Sequence, residues 1–548
     1  MKNERSQRMS QGLTTFGIGA IVGIGDESFI NTGVTQPDEQ IHIDFPRLAK
    51  RLRVSSLRYP KISKRWTDHG NVNTGNQFSF MRFPSWMFCP SCQSMKRITR
   101  DIANQLNGAM PRCDNNRCKG HKTRLHPVRF VVACEHGHID EFPWKYWAHT
   151  KRNTAEHGNC QENKLFFKAM LGAGAGWDSL VVSCICGASR SMMGLEDPGA
   201  LNQIGHKCSG KQPWQPHENR QDCGQTPVVS QRNASNIYQP VIVSAIDIDI
   251  TPKIEATNPL ETHIRGHNVF IDLLERYEAS GIENDIVQTL IKVVSEGCGC
   301  SQEEVIEVLS GHDNLEEDEP NSIGNNNIFE LNLSLQEDEW PVFFEDRISK
   351  KFVNKVESLD TNTDSPDTKH LTDLIEHVSL VKRLREVRAF KGFNRIKFDP
   401  GKIIPPSLNL IPTWLPAVEI YGEGIFIALN REKLDSWYNR NKGAIDEKMD
   451  AILLRYLAKG YDDRYGPCSP KFVLLHTLSH LLIRQLAFES GYNAASLREN
   501  IYFSDKKHRK MAGILIYTAD SDSEGSLGGL VRQGQWERLL PTILLALE

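Results

Sequence analysis

The stretch CPSC, with Cys89 and Cys92, is followed 20 residues later by CDNNRC, with Cys113 and Cys118. No other local pattern restricts the fold as strongly. Two close pairs let each knuckle give two thiolates to one tetrahedral ion, and the stretch between them closes the loop. Zinc suits such a shell because it is redox-silent and imposes no geometry beyond the tetrahedron. Four thiolates leave no position for a substrate, so Cys89, Cys92, Cys113 and Cys118 read as a structural site. Ten of the 13 cysteines lie within residues 83–230, a stretch rich in Gly, Pro and Asn. That composition suits small loops clamped by metal better than a large core.

Two further sets follow. Cys184 and Cys186 in SCICG, with Cys208 in HKCSG and Cys223 in QDCGQ, form a second candidate zinc shell, and Gly187 after the pair fits a tight knuckle turn. A third, looser set combines Cys134, His136 and His138 of CEHGH with His157 and Cys160 of HGNC; Cys134, His138 and Cys160 are its expected ligands. The competing reading is a loop whose histidines only hydrogen-bond. A catalytic zinc there would need an open position and a base, for which Glu135 or Asp140 is at hand. Cys298 and Cys300 lie at a helix start and read as structural; Cys468 stands alone.

Charge is distributed very unevenly. From Arg47 to Arg129 there are 18 Lys/Arg and 3 Asp/Glu, a net of +15; from Glu303 to Asp346 there are 14 Asp/Glu and no Lys or Arg, a net of −14. The two blocks either neutralise each other in part as solvated faces or concern partners. Nucleic acid is the evident partner for the basic block, because Lys and Arg gain affinity by displacing counterions from phosphate.

At 548 residues the chain exceeds one core. No run of about 18 apolar residues exists, so no membrane span is expected. The start, MKNERSQRMSQ, is too polar for a signal peptide, which points to the cytoplasm and to metal-bound rather than disulfide-bonded cysteines. The reading is an α+β multidomain chain with a zinc-stabilised, loop-rich N-terminal half and a mixed helical and sheet C-terminal domain. Its segments are a β-rich basic region (1–82), a cysteine-rich zinc-binding region (83–230), a mixed linker and helical region (231–310), an acidic, partly disordered segment (311–368) and the C-terminal domain (369–548). TTFGIGAIVGIGDESFINTGV reads as short strands with glycine turns, Ser301 with Glu304 as a capping box, and Leu371–Phe390 as a long amphipathic helix.

The common NTPase loop GxxxxGK[ST] is absent, as are GxSxG and HExxH. HTLSHLL places His476 and His480 four apart, but Thr477 stands where a zinc peptidase has its glutamate base. The surrounding KFVLLHTLSHLLIRQLAFESG is apolar nearly all round. It is expected as a buried helix with neutral, hydrogen-bonded histidines, capped by Gly491.

PKFVLLHTLSHLLIRQLAFESGYNAASLRENIY and MAGILIYTADSDSEGSLGGLV resemble the helicase-associated C-terminal domain of Mrf-type repair helicases, and more closely its version in the DrmB family of the DISARM antiphage defence system. TTFGIGAIV, PVRFVVACEHGHIDEFPWKYWAH, CICGASRSMMGL, RNASNIYQP, LREVRAFKGFNRI and YGEGIFIALN extend the resemblance from Thr14 to Val531. It implies a non-catalytic subunit that partners DrmA, a helicase-like ATPase, engages DNA and acts beside methylase components. The family's further cysteine cluster after GSLGGLV has no counterpart before LLPTILLALE, so that zinc is not carried over. Expected phosphate contacts are Arg47, Lys50, Arg51, Arg53, Lys61, Lys64, Arg65, Lys96 and Arg97, with a second strip at Lys382, Arg383, Arg385, Arg388 and Arg395. A protein–protein scaffold and a metal-dependent nuclease or hydrolase remain the alternatives.

Overall fold

Two long runs, VSLVKRLREVRAFKGF and WLPAVEIYGEGIFIAL, alternate their side chains between two cores and form the spine of the molecule. The computed structural model describes residues 9–33, 42–59, 65–67, 70–72, 79–118, 122–150, 160, 164–170, 176–215, 222–248, 284–310, 328–360, 366–406, 414–506, 510–518 and 528–548, with scattered positions between 264 and 282. The central sheet has nine strands: β1 (His42–Ile43), β2 (Ser56–Arg58), β3 (Gln239–Ile246), β4 (Arg347–Ile348), β5 (Val353–Val356), β6 (Ile375–Asn394), β7 (Trp414–Leu429), β8 (Leu497–Ser504) and β9 (Met511–Thr518). Its main path runs β4-β5-β6-β7-β9-β8, with β3 added to β6 and β2 pairing in parallel with β7. The sheet therefore draws strands from four of the five segments drawn above.

Period-two alternation explains the continuous apolar reading of the strands. Ile425 and Ile427 of β7, with Ile514 and Ile516 of β9, face one core; Phe426, Ala428, Leu515 and Tyr517 face the other. The first core is closed by helix α8 (Pro470–Ser490) through Leu475, Leu482 and Leu486, and by Trp536, Leu539 and Ile543 near the C-terminus. The second stacks Phe343 on Phe426 at 4.2 Å.

Residues 9–231 add four three-stranded antiparallel sheets to this spine among the described residues. The glycine-turned strands expected at the start are Ile21–Ile24 and Glu27–Gly33. The capping box forms, with Ser301 N–H donating to Glu304 at 2.8 Å and Glu304 N–H to Ser301 Oγ at 3.2 Å. Gly491 ends α8 in the left-handed conformation. Cys298 and Cys300 sit at a helix end rather than a helix start, flanking the left-handed Gly299. No helix among the described residues is long and apolar enough to cross a membrane.

Two expectations are corrected. The helix foreseen over Leu371–Phe390 stops at Leu374, and Ile375–Asn394 is a 20-residue strand. Its charges are not a solvated helix face. Arg385 is buried and pairs with Asp247 and Glu419, and buried Arg388 pairs with Glu386 at 2.5 Å. Once those charges are paired, β-branched residues such as Val378, Val381 and Val387 favour a two-sided strand. In HTLSHLL, only one side of α8 is buried: Leu475, Ser479 and Leu482 face the sheet, whereas His476 and His480 are 48% and 62% exposed.

Arg395, at the end of β6, is fully buried. Its guanidinium donates to the carbonyls of Gly137 (3.0 Å), Ile237 (2.6 Å) and Gly19 (2.7 Å), between the rings of Trp214 and Phe393. Burial pushes its pKa down, and the three carbonyls keep the charge compensated. Gly137 meets it from a turn with φ +79°, where a Cβ would lie 2.3 Å from Ile404. Arg395→Met leaves three buried acceptors unpaired, so urea denaturation should show a loss on the order of 3–5 kcal/mol. The exposed Arg97→Ala should stay within about 0.5 kcal/mol of the parent.

Candidate metal centres and basic surface

Three hairpin turns of the same design carry the cysteines. In the first, Cys89 follows strand Trp86–Phe88, its N–H bonds Ser94 O, and Gln93 N–H returns to Cys89 O at 2.7 Å. In the second, Cys134 N–H bonds His138 O and Gly137 N–H returns to Cys134 O. In the third, Cys184 N–H bonds Ala188 O and Gly187 N–H returns to Cys184 O, with Gly187 at φ +97°. Each turn curls its backbone round the leading sulfur and aims a second ligand at the same point.

The first set assembles from Cys89, Cys92, Cys113 and Cys118, whose sulfurs all lie within 4.8 Å of one another. Cys89 Sγ is 3.8 Å from Cys118 Sγ, and Cys92 Sγ is 3.7 Å from Cys113 Sγ. A tetrahedral ion with Zn–S bonds of about 2.3 Å requires S···S separations of about 3.75 Å. Although burial raises the Cys92 thiol, hydrogen bonds involving Ser94 and Asn115 outweigh it and bring the pKa down to about 6. The surrounding core is small: Met87, Ile98 and Leu125 are its buried non-cysteine members.

The other two sets differ from the sequence grouping. Cys208 and Cys223 do not join Cys184 and Cys186. They meet Cys134 and His138, with Cys134 Sγ 3.6 Å from Cys208 Sγ, 4.0 Å from Cys223 Sγ and 3.5 Å from His138 Nδ1. The contact with Cys208 is foremost in holding the Cys134 thiol down at about 4. His136 lies at the rim, 3.7 Å from Cys223 Sγ. Cys160 in turn leaves Cys134 and His138 and joins Cys184, Cys186 and His149. Cys160 Sγ is 3.8 Å from Cys184 Sγ, and His149 Nε2 is 3.3 Å from Cys186 Sγ. The physical reason is pairing: Ala133 pairs with Val228, which brings Cys223 to the Cys134 turn, and Ile139 N–H bonds Lys211 O, which brings Cys208. Cys184 pairs with Leu165, which keeps Cys160 beside the third turn. His157 lies outside the described residues.

His149 was not identified from the sequence. It is the last residue of the short helix Trp144–His149. Its Nδ1–H donates to the Lys145 carbonyl at 2.6 Å, which turns the Nε2 lone pair toward Cys186. The backbone N–H of Ala188 and the His149 ring bring the Cys186 thiol down to about 6. Two full mixed Cys/His shells result, each with four ligands. With four protein ligands, neither keeps the open position a catalytic zinc needs.

The predicted basic contacts separate into internal and exposed groups. Arg47 is internal, bonded to Asp338 (3.3 Å) and Glu339 (3.1 Å) on the helix Ile328–Glu339, so the basic block and the acidic segment meet directly. Arg51 also reaches Asp338, and Lys96 pairs with Asp114. Arg385, Arg388 and Arg395 are buried and unavailable to phosphate. Lys50, Arg53, Arg97, Lys382 and Arg383 are exposed. Lys61 and Lys64 lie outside the described residues, as does the side chain of Arg65. Sequence inspection gave less weight to the first cysteine module itself, which exposes Arg97, Arg100, Arg112, Arg117, Arg124 and Arg129.

Residues 8–239 match the family described as a domain of unknown function (DUF8724). Across most of its length the chain is similar to the DISARM protein DrmB of Bacillus paralicheniformis, with 28% identity over 536 residues, covering 88% of this chain and 86% of that protein. The DrmB-like identity read from the motifs is thereby supported well beyond any single motif.

The observed grouping makes a specific prediction for metal content. After mild chelation the chain should retain three ions by elemental analysis. The double variant C184S/C208S should lose two of them, whereas a shell built from Cys184, Cys186, Cys208 and Cys223 would lose one.

Proposed function

We propose that this DrmB-like chain is a component of a DISARM-type antiphage defence system, acting as a non-catalytic, DNA-engaging subunit beside a helicase-like ATPase. The relative's name supports the defence role. The observation that carries DNA engagement is the first cysteine module. Six arginines are exposed on and around it, while its segment contains only Asp101 and Asp114 as acids between Cys89 and Arg129. Many like charges on a small rigid module suit a phosphate backbone, which needs charge density rather than base-edge readout. Zinc is the ion proposed for the three shells. It would supply no chemistry beyond cross-linking, because the four-ligand shells are closed.

An open cleft of about 580 Å³ beside this module supports the reading. Phe29 and Phe80 line it together with Arg100, Asn104 and Asn107, and with Arg82, whose guanidinium pairs with Glu27. Aromatic faces between cationic and amide groups are the materials of single-strand binding.

A scaffold role without DNA contact has one observation in its favour. The 28-residue helix Arg431–Ala458 buries only Leu434 and exposes Ile452, Leu453, Leu454 and Leu457. Apolar patches of this kind mark surfaces covered in assemblies.

Fluorescence anisotropy with labelled DNA at graded salt separates the two. The DNA-engaging chain should bind with a clear salt dependence, and R97E/R117E/R124E should weaken binding at least about tenfold and flatten the slope against log salt. Affinity unchanged by both salt and charge reversal would leave the scaffold reading standing.

A further inference from the structure

His476 and His480 stand one turn apart on the open side of α8, and Glu499 of β8 rises between them. The two Nε2 atoms are 3.0 Å apart, and Glu499 Oε1 lies 3.1 Å from His476 Nε2 and 3.6 Å from His480 Nε2. Hydrogen bonding alone satisfies this triangle only in part. If His476 donates, its one N–H is shared between Glu499 Oε1 and the His480 lone pair. If His480 donates to His476, the His476 nitrogen carries a lone pair that faces a carboxylate oxygen. If both rings donate toward Glu499, two N–H groups oppose each other at 3.0 Å. A cation at the centre satisfies all three atoms with lone pairs. Ligand bonds of about 2.0–2.1 Å in a tetrahedral shell place neighbouring ligand atoms about 3.3 Å apart, within the observed range.

The surroundings hold the ligands as a site requires. Ser479 Oγ is hydrogen-bonded to the other oxygen of Glu499, which fixes the carboxylate. The His476 ring lies near-parallel to Phe472, with centroids 6.1 Å apart. Helix and strand are both anchored in the same core by Leu475, Leu482 and Leu497, so the triangle spans two rigid elements rather than a loop.

We infer that His476, His480 and Glu499 form a fourth metal site, for a zinc-class divalent cation. It differs in kind from the three cysteine shells. Three protein ligands leave at least one position open, and the exposure of both histidines turns that position to solvent. Two imidazoles and a carboxylate select zinc-class ions over magnesium or calcium, which prefer all-oxygen shells. Without thiolates and facing water, the site exchanges its ion faster than the buried cysteine sets.

Zinc titration of the full chain tests this against a competing chromophoric chelator, after a mild chelator has removed loosely held ions and elemental analysis has confirmed that the cysteine shells remain filled. The parent should take up one further equivalent, and H476A/H480A should take up none. E499Q should bind at least about tenfold more weakly, since the carboxylate charge is lost. Cobalt in place of zinc should give visible d–d bands without thiolate charge transfer. Because both histidines are exposed, the variants should keep their cysteine-bound ions, measured in the same experiment. Equal uptake by the parent and H476A/H480A overturns the site, as does a cobalt spectrum carrying thiolate charge transfer.

Discussion

The buried guanidinium of Arg395 joins parts of the chain that no local rule connects. Its three nitrogens each find a carbonyl: Gly19 before the first hairpin, Gly137 in the Cys134–His138 turn, and Ile237 ahead of strand β3. A rigid fork with donors on several edges can do this, and a lysine ammonium cannot at the same spacing. The rings of Trp214 and Phe393 flank the charge. The central sheet and the second cysteine shell are therefore mutually positioned: whatever shifts the end of β6 shifts the turn that aims His138.

Charge follows the same logic on a larger scale. The net of +15 near the start and −14 near the middle suggested either a partner surface or mutual neutralisation, and the structure contains part of the second. Arg47 bridges to Asp338 and Glu339 with its side chain only 9% exposed. Glu339 is fully buried and also accepts from Tyr502 and from Ile246 N–H. That network is internal wiring of the spine. The exposed arginines around the first cysteine module lie apart from it, which is why the two halves of the basic block carry different meanings.

What was legible in the sequence was local. The CPSC and CDNNRC pairs, the Ser301–Glu304 box, the Gly187 turn and the Gly491 cap each depend on a few adjacent residues, and the structure brings each about. What was not legible depended on pairing between distant strands. Spacing tells that Cys184 and Cys186 belong to one cluster, but the register of Val228 against Ala133 decides which knuckle receives Cys208 and Cys223. His149 carries no motif, and its approach to Cys186 Sγ, with the ring oriented by Lys145 O, is what makes it a ligand candidate. KRLREVRAF looked helical because its charges were read as the polar face of an amphipathic helix open to phosphate, whereas Asp247 and Glu419 receive Arg385 inside the sheet. In HTLSHLL Leu482 is buried as expected and Leu478 and Leu481 are half-buried, but apolarity all round concealed the side left open beside Glu499.

A metal ion in the first shell, as proposed, would also explain how one module can carry so much positive charge. Around the first shell the buried aliphatic residues are few, and repulsion among six exposed arginines acts against compaction. Hydrophobic burial on that scale contributes little, because a core of this size cannot offset chain entropy by itself. Four thiolates around one divalent ion would both cross-link the two knuckles and leave two formal negative charges at the module's centre. The arginines would then be held around a buried anion rather than around an apolar core. Losing the ion would remove the cross-link and the compensating charge together. On that proposal, stability and basic surface would be two consequences of the same four cysteines.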